Sequence, residues 1–353
     1  MYDVRNIGPN IRVNSKKLIN LCSNDYLGIK SPKISKKQNQ SSSRLIAGND
    51  ESFKILESKL AKHKSQDNAL IFPTGYMANL GVISSLIQKN DHVYSDEFNH
   101  ASLIEACKIT GAKITIFKHN DMSDLNSKIK TDSKRKFIIT EGIFSMDGDS
   151  ADLKIISEIS QKHDAITVLD DAHGDFIIGK DGGGSANHFG VEKKIDIYTS
   201  SLSKGLGSFG GYIASQKNVI ELSINKSKSF IYTSALPSLF IDDAIKRFDS
   251  DREKRRKQLW ENTNYFSTGL KKIGYENKSK SHIMPIMIGK EKLAIEFAIY
   301  LRKNGIFVHP IRYPTVPKNN ARIRISITAS LTKKQMKFSL DVFDKARKKF
   351  QIE

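Results

Sequence analysis

Cysteine is scarce in this 353-residue chain, with only Cys22 and Cys107 present. The two are far apart and lack metal-ligand spacing, so the sequence supports neither a zinc site nor a disulfide framework, and both read as reduced thiols. Long apolar runs are missing as well: no stretch approaches the roughly eighteen residues a membrane helix needs. The opening Met1-Tyr2-Asp3-Val4-Arg5-Asn6 lacks the apolar core of a signal peptide. A cytoplasmic protein with no membrane partner and no metal is expected. No internal repeat is visible, which excludes repeat architectures. Acidic residues are in deficit, 38 against 57 lysines and arginines, for a net charge of +19. A basic protein of this kind attracts polyanions. The excess is diffuse, however, and its densest cluster, Arg252-Glu253-Lys254-Arg255-Arg256-Lys257, lies in a helical pattern without a nucleic-acid recognition motif. It reads as a solvated surface, or as attraction for an anionic acyl-CoA or an acidic carrier protein, and no nucleic-acid partner is expected.

What is present is organised around Thr199-Ser200-Ser201-Leu202-Ser203-Lys204-Gly205-Leu206-Gly207-Ser208-Phe209-Gly210-Gly211, just after the apolar segment 195–198. Taken alone, such a run is either a flexible surface loop or a lysine poised to form a Schiff base among hydroxyls and glycines. Upstream, Ala165-Ile166-Thr167-Val168-Leu169 reads as a buried parallel strand that ends in Asp170-Asp171-Ala172-His173. Ligands gather at the carboxyl ends of strands in open α/β sheets, so Asp170 and Lys204 can serve one cleft. Pyridoxal phosphate needs such a pair: the carboxylate keeps the pyridine nitrogen protonated and the amine forms the imine.

Further stretches join these two. They are Ser23-Asn24-Asp25-Tyr26-Leu27-Gly28, Phe72-Pro73-Thr74-Gly75-Tyr76-Met77-Ala78-Asn79, Asn99-His100-Ala101-Ser102-Leu103, Glu141-Gly142-Ile143-Phe144-Ser145-Met146-Asp147-Gly148-Asp149 and Ile311-Arg312-Tyr313-Pro314-Thr315-Val316-Pro317. From about Asn20 to about Ala329 the chain resembles the α-oxoamine synthase family of fold-type I pyridoxal-phosphate enzymes. The resemblance implies an α/β fold with a mainly parallel central sheet sandwiched by helices and a smaller α+β carboxyl-terminal domain. The expected division is an amino-terminal segment 1–45, a large cofactor-binding domain 46–236 and a small domain 237–353.

Alternation of strands and helices supports that architecture from the residues themselves. Strands are expected at 17–21, 69–72, 92–95, 113–117, 136–140 and 165–170, with helices over 56–63, from about Tyr76, and over 152–163. Ser238 to Lys272 has a helical pattern. Segments 283–288, 306–309 and 321–327 read as strands of the small domain, closed by a helix over 331–350. Pro32 to Ser43, rich in lysine and serine, reads as a loop.

A helix start after the 69–72 strand makes Thr74, Gly75 and Tyr76 candidates to hold a phosphate. His100 reads as a cap or packing residue, or, by the resemblance, as a ring stacked on the cofactor. The resemblance also assigns Ser145 to a cofactor contact, His173 to the cofactor's phenolic oxygen, Ser201 to the phosphate, and Thr233 to the phosphate of a neighbouring subunit in a homodimer. Asn24, Thr315 and Arg324 become amino-acid contacts, Arg324 through its forked guanidinium on a carboxylate. Bland alternatives are a turn at Asn24, a turn at Thr233 and an exposed basic strand face at Arg322 and Arg324. Asp175-Phe176 stand where the family has smaller residues, which suggests a narrower rim near the acyl group.

The implied reaction is decarboxylative condensation of L-alanine with pimeloyl-CoA or a pimeloyl-carrier protein, at the entry to biotin ring assembly. Lys204, His100, Asp170 and His173 would be the catalytic residues. Other family members join glycine to acetyl-CoA or succinyl-CoA, or serine to a long acyl-CoA, and Tyr313 is similar to the aminolevulinate branch. A basic, non-catalytic binding protein on the same scaffold is the alternative of another class.

Overall fold

The computed structural model describes residues 4–13, 15–33, 42–129 and 135–352. Most of the 32–43 stretch read as a loop lies outside the described residues. The chain forms two compact units. One comprises residues 1–29, 145–149 and 253–353, and the other 30–144 and 150–252.

In chain order, β1 (Val4–Ile7), β2 (Asn10–Val13) and β3 (Lys16–Asn20) form an antiparallel meander. The larger unit then runs α1 (Glu51–His63), β4 (Asn68–Phe72), α2 (Gly75–Leu86), β5 (His92–Asp96), α3 (Ala101–Thr110), β6 (Lys113–Phe117), α4 (Met122–Lys128), β7 (Lys136–Glu141), α5 (Leu153–His163), β8 (Ala165–Asp170), α6 (Ser185–His188), β9 (Ile197–Ser201), β10 (Gly211–Ser215), α7 (Lys217–Lys226), α8 (Lys228–Ile231) and α9 (Ser238–Phe248). The smaller unit resumes with α10 (Arg252–Lys272), β11 (Ile283–Gly289), α11 (Glu291–Lys303), β12 (Ile306–Phe307), β13 (Pro310–Ile311), β14 (Ala321–Ser326) and α12 (Lys333–Phe350).

The larger unit is built on a seven-stranded sheet of order β4-β10-β9-β8-β7-β5-β6. β9, β8, β7, β5 and β6 are mutually parallel, while β10 runs against both β4 and β9. Every residue of β5, β7 and β9 is buried, the pattern of parallel strands covered on both faces. On one face, Val82, Ile83 and Leu86 of α2 and Leu103 and Cys107 of α3 pack against Phe72, Val93, Phe137, Ile139 and Val168. Parallel direction brings the carboxyl ends Asp96, Glu141, Asp170 and Ser201 to one sheet edge.

In the smaller unit, β11, β14 and β13 form an antiparallel sheet. The strand expected at 306–309 is shorter and lies elsewhere: β12 pairs in parallel with β3 and extends the amino-terminal meander. Pro310–Ile311 takes the place beside β14 instead. The 238–272 helical pattern is interrupted at Asp249-Ser250-Asp251, residue types that favour helix ends. α12 starts on a reciprocal capping box between Thr332 and Gln335.

On the face of the larger sheet opposite α2, a buried charge cluster braces the segment after β8. Lys64 Nζ lies 2.8 Å from Asp171 and 2.7 Å from Asp175. Asp171 also accepts from the amide and hydroxyl of Ser185, and Asp175 from Ser200 and Tyr212. Burial alone would lower the Lys64 pKa, but the two aspartates reverse this and raise it. Burial would raise Asp175, yet Lys64 and His63 outweigh it and hold the carboxyl below its ordinary range. Asp175 and Phe176 are therefore interior residues: Phe176 is fully buried and stacks on His63 at 4.7 Å. The expectation that they narrow a substrate rim is not met. Lys64→Met should leave two buried carboxylates short of a cation and cost about 3–5 kcal/mol of stability. Urea denaturation would read this, and a loss under about 1 kcal/mol would mean that His63 and the hydroxyls suffice without the lysine.

Candidate active site

Lys204 follows β9 in a turn closed by the Gly207 amide on the Lys204 carbonyl (3.1 Å) and by Ser208 on Leu202 (2.9 Å). The turn leaves the lysine half-buried, with Nζ 2.9 Å from His173 Nε2. His173 lies three residues past the end of β8 and is itself buried. The Gly174 and Asp175 amides bond back to the Asp171 carbonyl at 3.0 and 2.8 Å, so the loop that aims His173 at the lysine is tight.

Asp170 ends β8. Its Oδ1 accepts from the Ala172 amide at 3.0 Å and its Oδ2 from Asn79 Nδ2 at 2.7 Å. Asn79 Nδ2 also donates to Ser102 Oγ at 2.9 Å, and Ser102 Oγ lies 2.8 Å from His100 Nδ1. With Asn79 as donor, the serine hydroxyl points its proton at the imidazole. His100 Nδ1 further accepts from the Ser102 amide at 3.2 Å, which caps α3. Both contacts make Nδ1 an acceptor, so the ring proton sits on Nε2. Desolvation lowers the His100 pKa, Asp170 opposes that and Lys204 reinforces it, in keeping with a neutral ring. His100 thus both caps a helix and is wired through buried Ser102 and Asn79 to Asp170.

At the start of α2, Thr74 Oγ1 accepts from the Met77 amide at 3.2 Å. Its hydroxyl is the helix cap, which leaves the first-turn amides, Gly75 and Tyr76 among them, facing outward without helical partners. Ser201 Oγ and Ser203 Oγ lie 2.8 Å apart at the end of β9. A Cβ on Gly211 would sit 2.3 Å from Gly75 N, and one on Gly75 would sit 3.2 Å from Ser201 Cβ. Close backbone approach is what makes this corner a cradle of amides and hydroxyls suited to a phosphate. Thr233 is half-buried and lines a cleft with Arg44, Phe72 and Phe230.

Other expected site residues belong to the smaller unit. Arg324 donates through Nε to the Ser145 carbonyl and through Nη1 to Asn24 Oδ1 (3.2 Å) and Ser326 Oγ (2.8 Å). Tyr26 joins the group by donating to Asn24 at 3.0 Å. Burial raises the Tyr26 pKa against the pull of Arg324. Arg322, on the same strand face, is buried and ion-paired to Asp147, so this is not an exposed basic face. Asn24, Ser145 and Arg324 are brought together. Thr315 is exposed on a turn closed by its amide on the Arg312 carbonyl and stands outside that hydrogen-bonded group.

Asn79 and Glu141 are the site residues that sequence reasoning passed over. Asn79 is a polar residue inside an apolar helix, a signal that was available. Glu141 pairs with Asp170 across β7 and β8, a non-local match that spacing does not reveal.

The residues fit pyridoxal phosphate: an amide and hydroxyl cradle, a carboxylate with fixed donors, and a lysine beside a histidine. A family model described as aminotransferase class I and II matches residues 16–343. The structure of serine palmitoyltransferase from S. paucimobilis with a bound PLP-myriocin aldimine matches with a TM-score of 0.94 and 27% identity, over 100% of this chain and 93% of that one. That of 8-amino-7-oxononanoate synthase from Francisella tularensis matches with a TM-score of 0.79 and 28% identity, over 95% and 99%. The fold is that of the fold-type I pyridoxal-phosphate enzymes. In sequence, the chain is 39% identical to 8-amino-7-oxononanoate synthase of Thermoanaerobacter pseudethanolicus over 98% of this chain and 91% of that protein. It is 38% identical to 8-amino-7-oxononanoate synthase 1 of Bacillus subtilis, over 98% and 92%. The chain belongs to the 8-amino-7-oxononanoate synthase family, within the class I and II aminotransferases.

Among the described residues, no group of three or more His, Cys, Asp or Glu is arranged to hold a metal, and no helix is long and apolar enough to cross a membrane. Asn79→Ala should strip Asp170 and Ser102 of a buried donor and cost about 1–3 kcal/mol of folding stability. A urea midpoint unchanged from wild type would mean that water replaces the amide at no cost.

Proposed function

We propose that the protein condenses L-alanine with a pimeloyl thioester, carried on CoA or on an acyl carrier protein, releasing carbon dioxide and the thiol and forming 8-amino-7-oxononanoate for biotin assembly in the cytoplasm. The observation that carries this reading is Lys204 Nζ placed 2.9 Å from His173 Nε2 at the sheet edge that also ends in Asp170. When bound, pyridoxal phosphate supplies an electron sink for the carbanion formed at the amino acid's α-carbon.

Lys204 would hold the cofactor through its amine, and the same amine is the general base that would take the amino acid's α-proton. Asp170, fixed by Asn79 and Ala172, would keep a proton on the ring nitrogen. His173 would donate to the phenolic oxygen, and His100, with its proton on Nε2, would stack on the ring and orient the incoming thioester. Backbone amides at Gly75 and Tyr76, the Thr74 turn and the Ser201 hydroxyl take the phosphate, with Ser145 as a further cofactor contact. Arg324 binds the alanine carboxylate, with Asn24 and Thr315 as further substrate contacts. The cofactor contacts lie in the 46–236 region, while Thr315 and Arg324 lie in 237–353. Thr233 completes the phosphate site of a second subunit, which makes the active form a homodimer. A diffuse net charge of +19 suits an anionic thioester.

A second reading, serine with a long acyl-CoA, is favoured by one observation, the 0.94 TM-score to a serine palmitoyltransferase. Backbone likeness reports fold rather than substrate, and the relatives with higher identity carry the oxononanoate name. Turnover of alanine, glycine and serine against pimeloyl, acetyl, succinyl and palmitoyl thioesters decides between them. Alanine with pimeloyl thioester is expected to give the highest kcat/KM, and a preference for serine with palmitoyl-CoA would overturn the proposal.

Borohydride reduction followed by peptide mapping should place the cofactor on Lys204 alone, and Lys204→Ala should lose the linkage and nearly all turnover. Label on another lysine would refute the assignment. For the homodimer, Lys204→Ala protein mixed with an inactive Thr233 variant should regain partial activity, since one site per mixed dimer has both residues intact. No recovery despite demonstrated subunit exchange would mean that each subunit builds its own site.

A further inference from the structure

Glu141 ends β7 directly opposite Asp170 at the end of β8, in a parallel register that turns both side chains to the same face. The Gly142 amide donates to the Asp170 carbonyl at 2.8 Å, which pins the two strand ends together. Glu141 is only 3% exposed, and its Oε1 is buried without a hydrogen-bond partner. The backbone amide of His100 donates to the same carboxyl. Asp170, by contrast, has two fixed donors, Ala172 N and Asn79 Nδ2.

Two carboxyl groups at one buried strand edge cannot both be charged cheaply, and the one with more donors takes the charge. Donor count therefore makes Asp170 the anion and leaves the proton with Glu141, on the oxygen that has no donor to repel it. The charged and titratable groups around Glu141 agree. Burial first, then Asp170, push its pKa well above the ordinary carboxyl value, with Asp96 adding to the rise, while Lys204 and the His100 amide pull the other way without reversing it.

We propose that Glu141 is held as a neutral carboxylic acid and is a positioning residue for the cofactor ring: it leaves Asp170 as the single anion at this edge and anchors the backbone from which His100 is presented. The proposal rests on the roles given above to Asp170 and His100. In neutral form the carboxyl accepts the His100 amide and keeps its proton, so it adds no second negative charge beside the ring nitrogen. An ionised Glu141 would share the protonating role with Asp170 and weaken the distinction between them.

The test compares full-length wild type with Glu141→Gln and Glu141→Ala, each with and without pyridoxal 5′-phosphate. Glutamine keeps the shape and the acceptor for His100 and cannot ionise. Its cofactor dissociation constant, from absorbance titration, should stay within about twofold of wild type, whereas alanine should weaken binding by about tenfold or more, as loss of an outer-shell support does elsewhere. A second readout needs no cofactor. A carboxyl whose folded pKa is raised contributes its full stability below the unfolded value and loses it as pH rises toward the folded one. The melting temperature of cofactor-free wild type should therefore fall relative to Glu141→Gln as pH is raised from about 5 to about 9. A constant difference across that range, or glutamine weakening the cofactor as much as alanine, overturns the proposal. Should Glu141→Ala fail to fold, wild type against Glu141→Gln decides alone. If wild type takes up no cofactor at Lys204, it is the underlying reading that fails, and the pH dependence of the cofactor-free proteins still reports the state of Glu141.

Discussion

The segment that carries Asp170 and His173 is held from behind by buried charge, with Lys64 set between Asp171 and Asp175 and backed by His63, Ser185, Ser200 and Tyr212. Removing such groups from water costs several kcal/mol per ion, recovered only when the geometry is kept. The cluster therefore contributes less to net stability than to position, because any slippage of residues 171–175 would unpair charges in the interior. Even a glycine is recruited: a Cβ on Gly184, whose φ is +97°, would fall 1.9 Å from Asp171 Oδ2 and 2.6 Å from Lys64 Nζ. His173 can be aimed at Lys204 because its chain neighbours on either side are fixed in this way.

The opposite tendency governs the sheet edge itself. Asn79 Oδ1, Glu141 Oε1 and Thr199 Oγ1 are buried polar atoms that meet no partner, and all three belong to residues in or beside the Asp170 network. Interiors rarely leave such atoms unmade. Unpaired buried atoms occur elsewhere too, at Thr263, Thr328 and Ser339 among others, but Asn79, Glu141 and Thr199 stand beside the carboxylate to which the site's chemistry is assigned.

Much of this architecture was legible from local pattern. The β6 and β8 boundaries follow directly from their β-branched runs, and α5 from its apolar spacing. Lys204, Asp170 and His173 were legible because reactive residue types sit just past those runs. Long-range facts were not. Lys64 follows the last turn of α1, where solvent and the helix dipole ordinarily favour lysine; only the fold reveals that the interior closes over it. Asp175 and Phe176 read as rim residues because they depart from a family pattern, whereas their burial depends on His63 and Phe248, far away in sequence. His100 was legible as either cap or ring partner, and the Asn79–Ser102 relay lets one imidazole do the first while staying available for the second. The short strand β12 was misassigned because two residues carry too little pattern to choose a partner sheet.

The pairing of β12 with β3 joins Ile306 to Ile19, far apart along the 353-residue chain. Residues 30–252 form their compact unit with only a five-residue interruption, at 145–149. A ribosome that releases residues in order therefore delivers the complete larger unit while the amino-terminal meander still waits for its fourth strand. The first strands made are among the last to be completed, and until residue 307 emerges the edge of β3 that β12 will cover is an open hydrogen-bonding surface of the nascent protein.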